Sequence, residues 1–359
     1  MGVASEIPGP ADVDSEFLTG VLGLNGIGST VTGFTAEPVG TGQIGQCIRY
    51  QLELANDDES CPKTLVGKFA SDDETSRATG VALRNYVREV RFYQEIQDRV
   101  SIRTPRCYHA AIEGDGPDFV LILEDLAPAV QGDQLRGCSP TVAEAAIGEA
   151  IGLHAPTWND ASFDELDWLA PRVDPAAPTR SDLYGQLLAP FFDRFRSRLE
   201  ADEAAIIEKV ATSTGAPWNV DDDPTSLVHV DYRLDNILID DRSDPPTVTV
   251  VDWQSVTIGN PLVDVAYFLG AGLQPEVRRE TDDGIVRSYH RGLVEAGVAD
   301  YSWDRCWADY RRASFHGFVI TVIASTIVVE TERGNDMFTA MAKRHARHAL
   351  DLGAEEFLT

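Results

Sequence analysis

Positive charge is scarce in this sequence. Its 30 lysines and arginines are outnumbered by 58 aspartates and glutamates, which gives a formal net charge of −28 at pH 7. Nucleic acids and anionic membranes are bound through basic patches, so the sequence argues against both kinds of partner. The acidic excess suits either a cationic small-molecule partner or a surface adapted for solubility or salt, and the second explanation is the simpler one.

Cysteine pairs and long apolar runs are also missing. The five cysteines are odd in number and have no Cys-x-x-Cys spacing, so reduced thiols are expected and no metal cluster is implied. A spanning helix needs about 20 apolar residues, and the best candidate, 315–329, is interrupted by His316 and Gly317. The amino terminus lacks a basic stretch followed by an apolar one. These absences predict a cytoplasmic protein without a membrane partner and leave its oligomeric state open.

The densest group of candidate catalytic residues lies between His229 and Asp252. Asp231 follows a short apolar run, Asn236 precedes a second run, and Asp252 ends a third. The second and third runs flank the polar turn 241–246, which predicts a β-hairpin that brings Asn236 and Asp252 together. An amide oxygen and a carboxylate suit Mg²⁺, and an aspartate on the preceding loop could accept a hydroxyl proton. This order of residues is typical of kinase-type phosphoryl transfer.

At these residues the chain resembles the aminoglycoside phosphotransferase and choline kinase superfamily, relatives of the protein kinases. The stretches 231–238, 252–254 and 264–269 resemble most the ecdysteroid-kinase-like branch and the branch linked to acyl-CoA dehydrogenases. The resemblance implies an α+β, bilobal protein-kinase-like fold, with an N-terminal β-sheet lobe containing one main helix and a larger, mainly helical C-terminal lobe. It also implies transfer of the γ-phosphoryl group of Mg-ATP to a hydroxyl of a small molecule.

Two positions depart from the family pattern. Val230 stands where the family usually has glycine, and Trp253-Gln254 follow Asp252 where drug-modifying members tend to have a glycine two positions on. The second departure argues against an aminoglycoside acceptor and leaves the chemistry unchanged.

One of the four lysines, Lys68, lies inside an apolar run that predicts a strand over 64–70. A buried lysine is costly unless it is paired. The predicted helix 81–100 places Glu89 on its inward face, in register with a row of apolar and aromatic residues that begins at Leu83. Glu95 is the competing partner. The resemblance implies that Lys68, held by Glu89, positions the α and β phosphates.

Two further segments complete the predicted nucleotide site. Glycines at Gly42 and Gly45 would let the backbone approach phosphate oxygens, although the segment matches neither a Walker loop nor a Rossmann fingerprint. The apolar run 119–123 resembles the strand before a hinge, whose main-chain groups at Glu124 and Leu126 would bind adenine. A plain core strand that ends in a turn explains the same residues.

The remaining roles are structural or open. Arg233 either contacts the transferred phosphoryl group or braces the loop through a salt bridge. His229 and His154 are expected to be structural, and Asp264 is expected to anchor the loop or to cap the next helix. The predicted domains are a leader at 1–16, a nucleotide-binding lobe at 17–125 and a catalytic and acceptor-binding lobe at 126–359.

The acceptor is not evident from the sequence. Five aromatic residues in the carboxyl-terminal third either line an apolar acceptor pocket or pack between helices: Tyr289, Trp303, Trp307, Tyr310 and Phe318. The main rival function is a catalytically silent kinase-like protein that binds nucleotide or regulates a partner. A second rival, a kinase of protein hydroxyls, is disfavoured because no Ala-Pro-Glu element follows Asp252.

Overall fold

The computed structural model describes most of the 359 residues, in six ranges: 7–40, 44–56, 60–169, 180–213, 223–328 and 330–358. The chain divides into two compact units. The first unit comprises 1–99, 104–128 and 251–256, and the second comprises 100–103, 129–250 and 257–359. The lobe limits at residues 16 and 125 stay a prediction, and residues 1–6 of the expected leader lie outside the described part.

The first unit is built on a five-stranded antiparallel sheet with strand order β1-β2-β3-β5-β4. Its strands are β1 (Val31–Val39), β2 (Gly45–Leu54), β3 (Thr64–Ala70), β4 (Cys107–Ile112) and β5 (Phe119–Glu124). Its helices are α1 (Ser15–Leu24), α2 (Glu74–Ala82) and α3 (Asn85–Arg91). Apolar side chains of α1, among them Leu18 and Val21, pack against Leu65 and Ile122 of the sheet in one core.

The sequence predicted one helix over 81–100, and this prediction is wrong because the segment is divided. Arg84 adopts a left-handed conformation (φ 58°) between α2 and α3, and α3 continues as a π-helical turn over Phe92–Ile96. The break lets Tyr86 fold back over Gly80, where an added β-carbon would lie 2.5 Å from the tyrosine ring. Leu83, expected on the inward face, is 50% exposed at this break.

The second unit is mainly helical and carries two small sheets, β7-β10 and β6-β8-β9. Its strands are β6 (Val130–Gln131), β7 (Ser226–Val228), β8 (Ile237–Asp240), β9 (Thr247–Val250) and β10 (Thr257–Gly259). Its helices are α4 (Pro140–His154), α5 (Arg180–Phe195), α6 (Ala201–Thr212), α7 (Leu262–Gly272), α8 (Pro275–Glu295), α9 (Trp303–Ile327) and α10 (Glu332–Asp351). The predicted hairpin is confirmed, with β8 and β9 paired antiparallel and Ile237 opposite Val250.

The predicted α+β class is confirmed: a sheet-bearing first unit and a larger, mainly helical second unit. Of the five aromatic residues considered for an acceptor pocket, Tyr289, Tyr310 and Phe318 are buried. Trp303 and Trp307 are half-buried and stack at 5.5 Å. In the part of the chain that the structure describes, no helix is both long and apolar enough to cross a membrane.

Candidate active site

Lys68 is the centre of a buried ionic group in the first unit. It projects from β3, and its Nζ donates to Glu89 Oε1 at 2.6 Å and to Asp252 Oδ1 at 2.9 Å. The ion pair with Glu89 is therefore present as predicted, while Glu95 pairs with Arg91 at 3.0 Å instead. The contact with Asp252 was not predicted from the sequence.

The electrostatics of this group favour a charged lysine. Burial by itself lowers the pKa of Lys68, but the carboxylates of Asp252 and Glu89 outweigh burial and raise that pKa above its usual value. Burial raises the pKa of Glu89, although the charge of Lys68 opposes this. The Asp252 side chain is 26% exposed and that of Glu89 only 3%, so Asp252 is the carboxylate of this group that a cation or a solvated ligand can reach.

The backbone around Asp252 is tightly held within the first unit. Asp252 has a left-handed conformation (φ 69°), which is uncommon for a residue other than glycine. The fully buried Trp253 stacks on Phe92 with ring centroids 3.8 Å apart. Asn85 of α3 donates to the carbonyl of Gln254 at 3.0 Å. Trp253, the first residue of the Trp253-Gln254 pair, thus packs against the same helical segment that carries Glu89.

Gly45 lies beside the lysine, at the start of β2. An added β-carbon would come within 3.3 Å of Lys68 Cε and 3.0 Å of the Phe69 carbonyl oxygen, so glycine here leaves room for the lysine side chain. The Tyr86 hydroxyl donates to the carbonyl of Ile44 at 2.9 Å and so ties α3 to the edge of the glycine-rich segment. Gly42 lies outside the described residues.

The two predicted hinge positions follow β5. The Glu124 N–H donates to the Arg106 carbonyl at 2.8 Å, and its Oε2 accepts from the Arg106 N–H at 3.1 Å. The Glu124 N–H is therefore not available to a nucleotide. Leu126 lies half-buried beyond the strand. An adenine contact at Glu124 and Leu126 stays a prediction. At Glu124, the main-chain group left for such a contact is the carbonyl.

Asp231 is the most densely contacted carboxylate of the loop before β8. Its Oδ2 accepts from Asn236 Nδ2 at 2.9 Å, and its Oδ1 accepts from Arg233 Nε at 2.9 Å and from the Tyr267 hydroxyl at 3.3 Å. Burial raises the pKa of Asp231, but the charge of Arg233, the proximity of His229 and these hydrogen bonds together hold it below its usual value. The side chain nevertheless remains 24% exposed, so an ionised carboxylate is presented at a partly open position.

Arg233 bridges two carboxylates of its own loop. Besides Asp231, its guanidinium donates to Asp235 Oδ2 at 2.7 Å. Burial alone lowers the pKa of Arg233, and the neighbouring Asp231, Tyr267 and Asp235 raise it overall. Of the two roles considered for Arg233, this geometry supports the loop-bracing one.

The fully buried Asp264 lies in the first turn of α7 and anchors the start of the loop 229–236, the predicted catalytic loop. Its two carboxylate oxygens accept the backbone N–H groups of His229 at 2.7 Å and Val230 at 2.8 Å. His154 contacts the same carboxylate through Nε2 at 3.3 Å and the Tyr289 hydroxyl through Nδ1 at 2.7 Å. The loop-anchoring role predicted for Asp264 and the structural role predicted for His154 are both confirmed.

The anchor explains the departure at Val230. This valine has φ 72°, in the left-handed region where a β-branched side chain is strained and glycine is favoured. Such strain persists only where the surroundings over-determine the backbone. Here the two N–H groups bound by Asp264 hold the conformation in place.

We expect Asp264→Asn to destabilise the protein by about 3 kcal/mol, because an amide NH₂ would face one of the two backbone donors inside the core. Urea unfolding followed by circular dichroism measures the loss. Asp304→Asn, the same change at an exposed position in the first turn of α9, is the matched control and should cost almost nothing. Equal unfolding curves for the two variants would contradict the anchoring role.

Amide and carboxylate oxygens, such as those of Asn236 and Asp252, are ligands that a hard divalent cation prefers. Both hydrogen bonds from the Asn236 amide nitrogen go to Asp231, so its carbonyl oxygen points away from that carboxylate. Within the described ranges, no group of three or more His, Cys, Asp or Glu side chains could hold a metal ion. Mg²⁺ commonly takes one or two protein oxygens and completes its shell with water and phosphates. Asn236 belongs to the second unit and Asp252 to the first, so their sharing of one ion stays a prediction.

Tyr267 is the site residue that the sequence analysis missed. It lies three residues after Asp264 on α7, so both side chains occupy the same helix face. The sequence signal for Tyr267 was its three-residue spacing from Asp264, inside the stretch 264–269 that resembles the family.

Comparison with known proteins identifies the family. A model described as the phosphotransferase enzyme family matches residues 60–306. Over 71 residues the chain is 43% identical to acyl-CoA dehydrogenase family member 11 from Gallus gallus, a match that covers 18% of this chain and 9% of that protein. The chain therefore spans less than a tenth of the length of this curated relative.

Solved structures support the fold. A choline kinase from Cryptosporidium parvum is similar with a TM-score of 0.53 and 12% identity, over 95% of this chain and 96% of that one. An ethanolamine kinase from Plasmodium vivax gives a TM-score of 0.52 and 10% identity, over 87% and 81%. The kinase-like fold and the resemblance inferred from the motifs are thereby confirmed, and the chain belongs to the phosphotransferase enzyme family.

Proposed function

We propose that this protein transfers the γ-phosphoryl group of Mg-ATP to a hydroxyl group of a small molecule. The observation that carries the proposal is the Asp231 carboxylate, ionised, partly exposed and bound by donors from two elements of the second unit. Its loop is fixed by the buried Asp264, so the carboxylate is preorganised before any substrate binds.

Asp231 orients the acceptor hydroxyl by accepting its hydrogen bond. As the acceptor oxygen forms its bond to the γ-phosphorus, the O–H bond breaks and the proton passes to the carboxylate. The bond from the γ-phosphorus to the bridging oxygen breaks at the same time, and ADP leaves with that electron pair. A carboxylate with a lowered pKa is a weak base, which suits a transition state in which the hydroxyl is deprotonated late.

The first unit supplies the nucleotide contacts. Lys68, held by Glu89, binds phosphate oxygens, and Gly42 and Gly45 bring the backbone close to them. The carbonyl of Glu124 and the main chain of Leu126 bind adenine. Asn236 and Asp252 are the proposed ligands of Mg²⁺, which when bound neutralises phosphate charge. Arg233 keeps the loop in shape by holding Asp231 and Asp235 together.

Two substitutions around Lys68 should affect protein stability and nucleotide affinity differently. Lys68→Met leaves the buried Glu89 carboxylate unpaired, so we expect a stability loss of about 3 kcal/mol and an ATP affinity about tenfold weaker. In the double variant Lys68→Met/Glu89→Leu, stability should recover because no buried charge is left alone, while affinity should not. Thermal unfolding and calorimetric ATP titration measure the two effects.

Lys63→Met removes the same charge from an exposed lysine five residues upstream and is the control. If the double variant bound ATP as tightly as the wild type, Lys68 would have no role in nucleotide binding. If Lys63→Met weakened binding equally, the effect of Lys68 would be one of net charge alone.

The function itself is tested by ATP and GTP titration with and without Mg²⁺, followed by ADP or GDP release across a panel of acceptors. The panel contains hydroxylated metabolites, choline-like amines, aminoglycosides and sterols. Metal-dependent binding with turnover on one class would establish a small-molecule kinase. Binding with no turnover on any class would favour the catalytically silent alternative, turnover on a generic protein would favour a protein kinase, and absence of binding would contradict the proposal.

A further inference from the structure

We infer that Tyr267 is a positioning residue for Asp231, and that it assigns the acceptor hydroxyl to Oδ2 of that carboxylate. The inference rests on the proposed function, because it specifies how the proposed proton acceptor is aimed. Tyr267 reaches Asp231 from α7, an element separate from the catalytic loop.

The donors around Asp231 leave one of its two carboxylate oxygens able to accept a further hydrogen bond. A carboxylate offers about four acceptor positions, two on each oxygen. Oδ1 already accepts from Arg233 Nε and from the Tyr267 hydroxyl, whereas Oδ2 accepts from Asn236 Nδ2. Among the described residues no further donor reaches the carboxylate, so the remaining position is on Oδ2. Without the Tyr267 hydroxyl, both oxygens would have one open position and the acceptor could bind in two ways.

The Tyr267 ring packs against two other helices of the second unit. It is 2% exposed, stacks on His345 of α10 with ring planes 5° apart, and meets His316 of α9 edge-on at 5.7 Å. The 3.3 Å distance to Asp231 is long for a hydroxyl donor. Catalytic hydrogen bonds are commonly longer before the substrate is bound. The two imidazole contacts limit how far the Tyr267 hydroxyl can move away from Asp231.

His345, which stacks on the Tyr267 ring, fills a space left by two glycines. A β-carbon on Gly317 would lie 2.1 Å from His345 Nδ1, and one on Gly270 would lie 2.6 Å away. Two glycines, on α9 and α7, thus make the space that the imidazole fills beneath Tyr267. Burial, and secondarily His316, lowers the pKa of His345 to about 3, so at neutral pH it packs as an uncharged ring.

Packing alone does not account for a tyrosine at this position. A buried hydroxyl is costly unless it is hydrogen-bonded, and a phenylalanine would fill the same space without that cost. The next residue of α7, Phe268, is such a buried phenylalanine. The hydroxyl of Tyr267 bonds to the Asp231 carboxylate, which is the group that the proposed reaction uses.

The test compares Tyr267→Phe with Tyr310→Phe, which removes another fully buried hydroxyl of the same unit, one paired with His348 Nε2 at 2.8 Å. The readout is ADP release from Mg-ATP with water as the acceptor, with Asp231→Asn as the background. We expect Tyr267→Phe to lower kcat about tenfold at unchanged KM for ATP, because the carboxylate is no longer aimed. Tyr310→Phe should keep the wild-type kcat, and both variants should show similar small losses in Tm.

The possible results separate the positioning role of Tyr267 from the proposed function. Equal kcat for Tyr267→Phe and Tyr310→Phe, or a change in KM for ATP with no change in kcat, would overturn the positioning role while leaving the proposed function intact. Wild-type ADP release no faster than that of Asp231→Asn would instead count against Asp231 as the proton acceptor, and so against the proposed function itself.

Discussion

The Asp231→Asn variant is expected to bind nucleotide as tightly as the wild type and to transfer phosphoryl groups about 10³-fold more slowly. Asparagine keeps the size of the side chain and an oxygen for Arg233 and Tyr267, which both contact Oδ1. What it loses is the negative charge, the capacity to take a proton, and the hydrogen bond that Asp231 Oδ2 accepts from Asn236 Nδ2. ADP release under saturating Mg-ATP measures the rate, and calorimetry measures nucleotide affinity.

The control for this experiment is Asp240→Asn, at the end of β8 on the same hairpin. Asp240 forms an ion pair with Arg242, whose side chain is 65% exposed, and has no contact with the catalytic loop among the described residues. It should turn over at the wild-type rate. If Asp231→Asn retained more than about a tenth of the wild-type rate, general-base help from this residue would be refuted.

The second large effect is expected at Asp252. Asp252→Asn should abolish most of the Mg²⁺-dependent gain in ATP affinity, a loss of about 100-fold, because a neutral amide is a much poorer ligand for a hard cation. The substitution leaves an oxygen that can still accept from Lys68, whose Nζ lies 2.9 Å from Asp252 Oδ1. Affinity measured without Mg²⁺ should therefore change little. Calorimetric titrations with and without the ion separate the two contributions.

Glu95→Gln is the control for Asp252→Asn, because it also replaces a carboxylate of the first unit with an amide. Glu95 pairs with Arg91 rather than with Lys68, so Mg²⁺ should strengthen ATP binding in this variant as it does in the wild type. An unchanged Mg²⁺ dependence in Asp252→Asn would place the metal on other groups and would require a new assignment of its ligands.

Local patterns were sufficient to predict several elements from the sequence. The strand over 64–70 matches β3, and the hairpin pattern matches β8 and β9, because apolar runs bounded by turn residues determine strands locally. The partner of Lys68 followed from a helical period that placed Glu89 inward.

Contacts between distant parts of the chain were not predictable in this way. Asp252 is 184 residues from Lys68 in sequence, and no periodicity links them. The break before α3 depends on how Tyr86 packs over Gly80, which a pattern of apolar residues does not encode. The hydroxyl of Tyr267 reaches Asp231 from a ring that α7 carries and that packs against His316 of α9 and His345 of α10. Tertiary packing, rather than local propensity, decided each of these features.

The two departures from the family pattern are both accommodated by neighbouring contacts. Val230 keeps a left-handed backbone because Asp264 binds its N–H and that of the preceding residue. Gln254, which stands where drug-modifying members tend to have glycine, donates through Nε2 to Asp252 Oδ2 at 3.3 Å, and the preceding Trp253 packs in the core against Phe92. Neither departure removes a residue of the proposed chemistry.

Transfer of a phosphoryl group from a nucleotide to a small-molecule hydroxyl, with the help of Asp231, leaves ADP and a phosphomonoester. The most direct measurement is ³¹P nuclear magnetic resonance of Mg-ATP incubated with the protein and each acceptor class, with Asp231→Asn in parallel. We expect the γ-phosphate signal to be replaced by one phosphomonoester signal in equal amount to the ADP formed, in the wild type alone. A spectrum unchanged for every acceptor class would contradict phosphoryl transfer, and equal product from Asp231→Asn would contradict the role of Asp231.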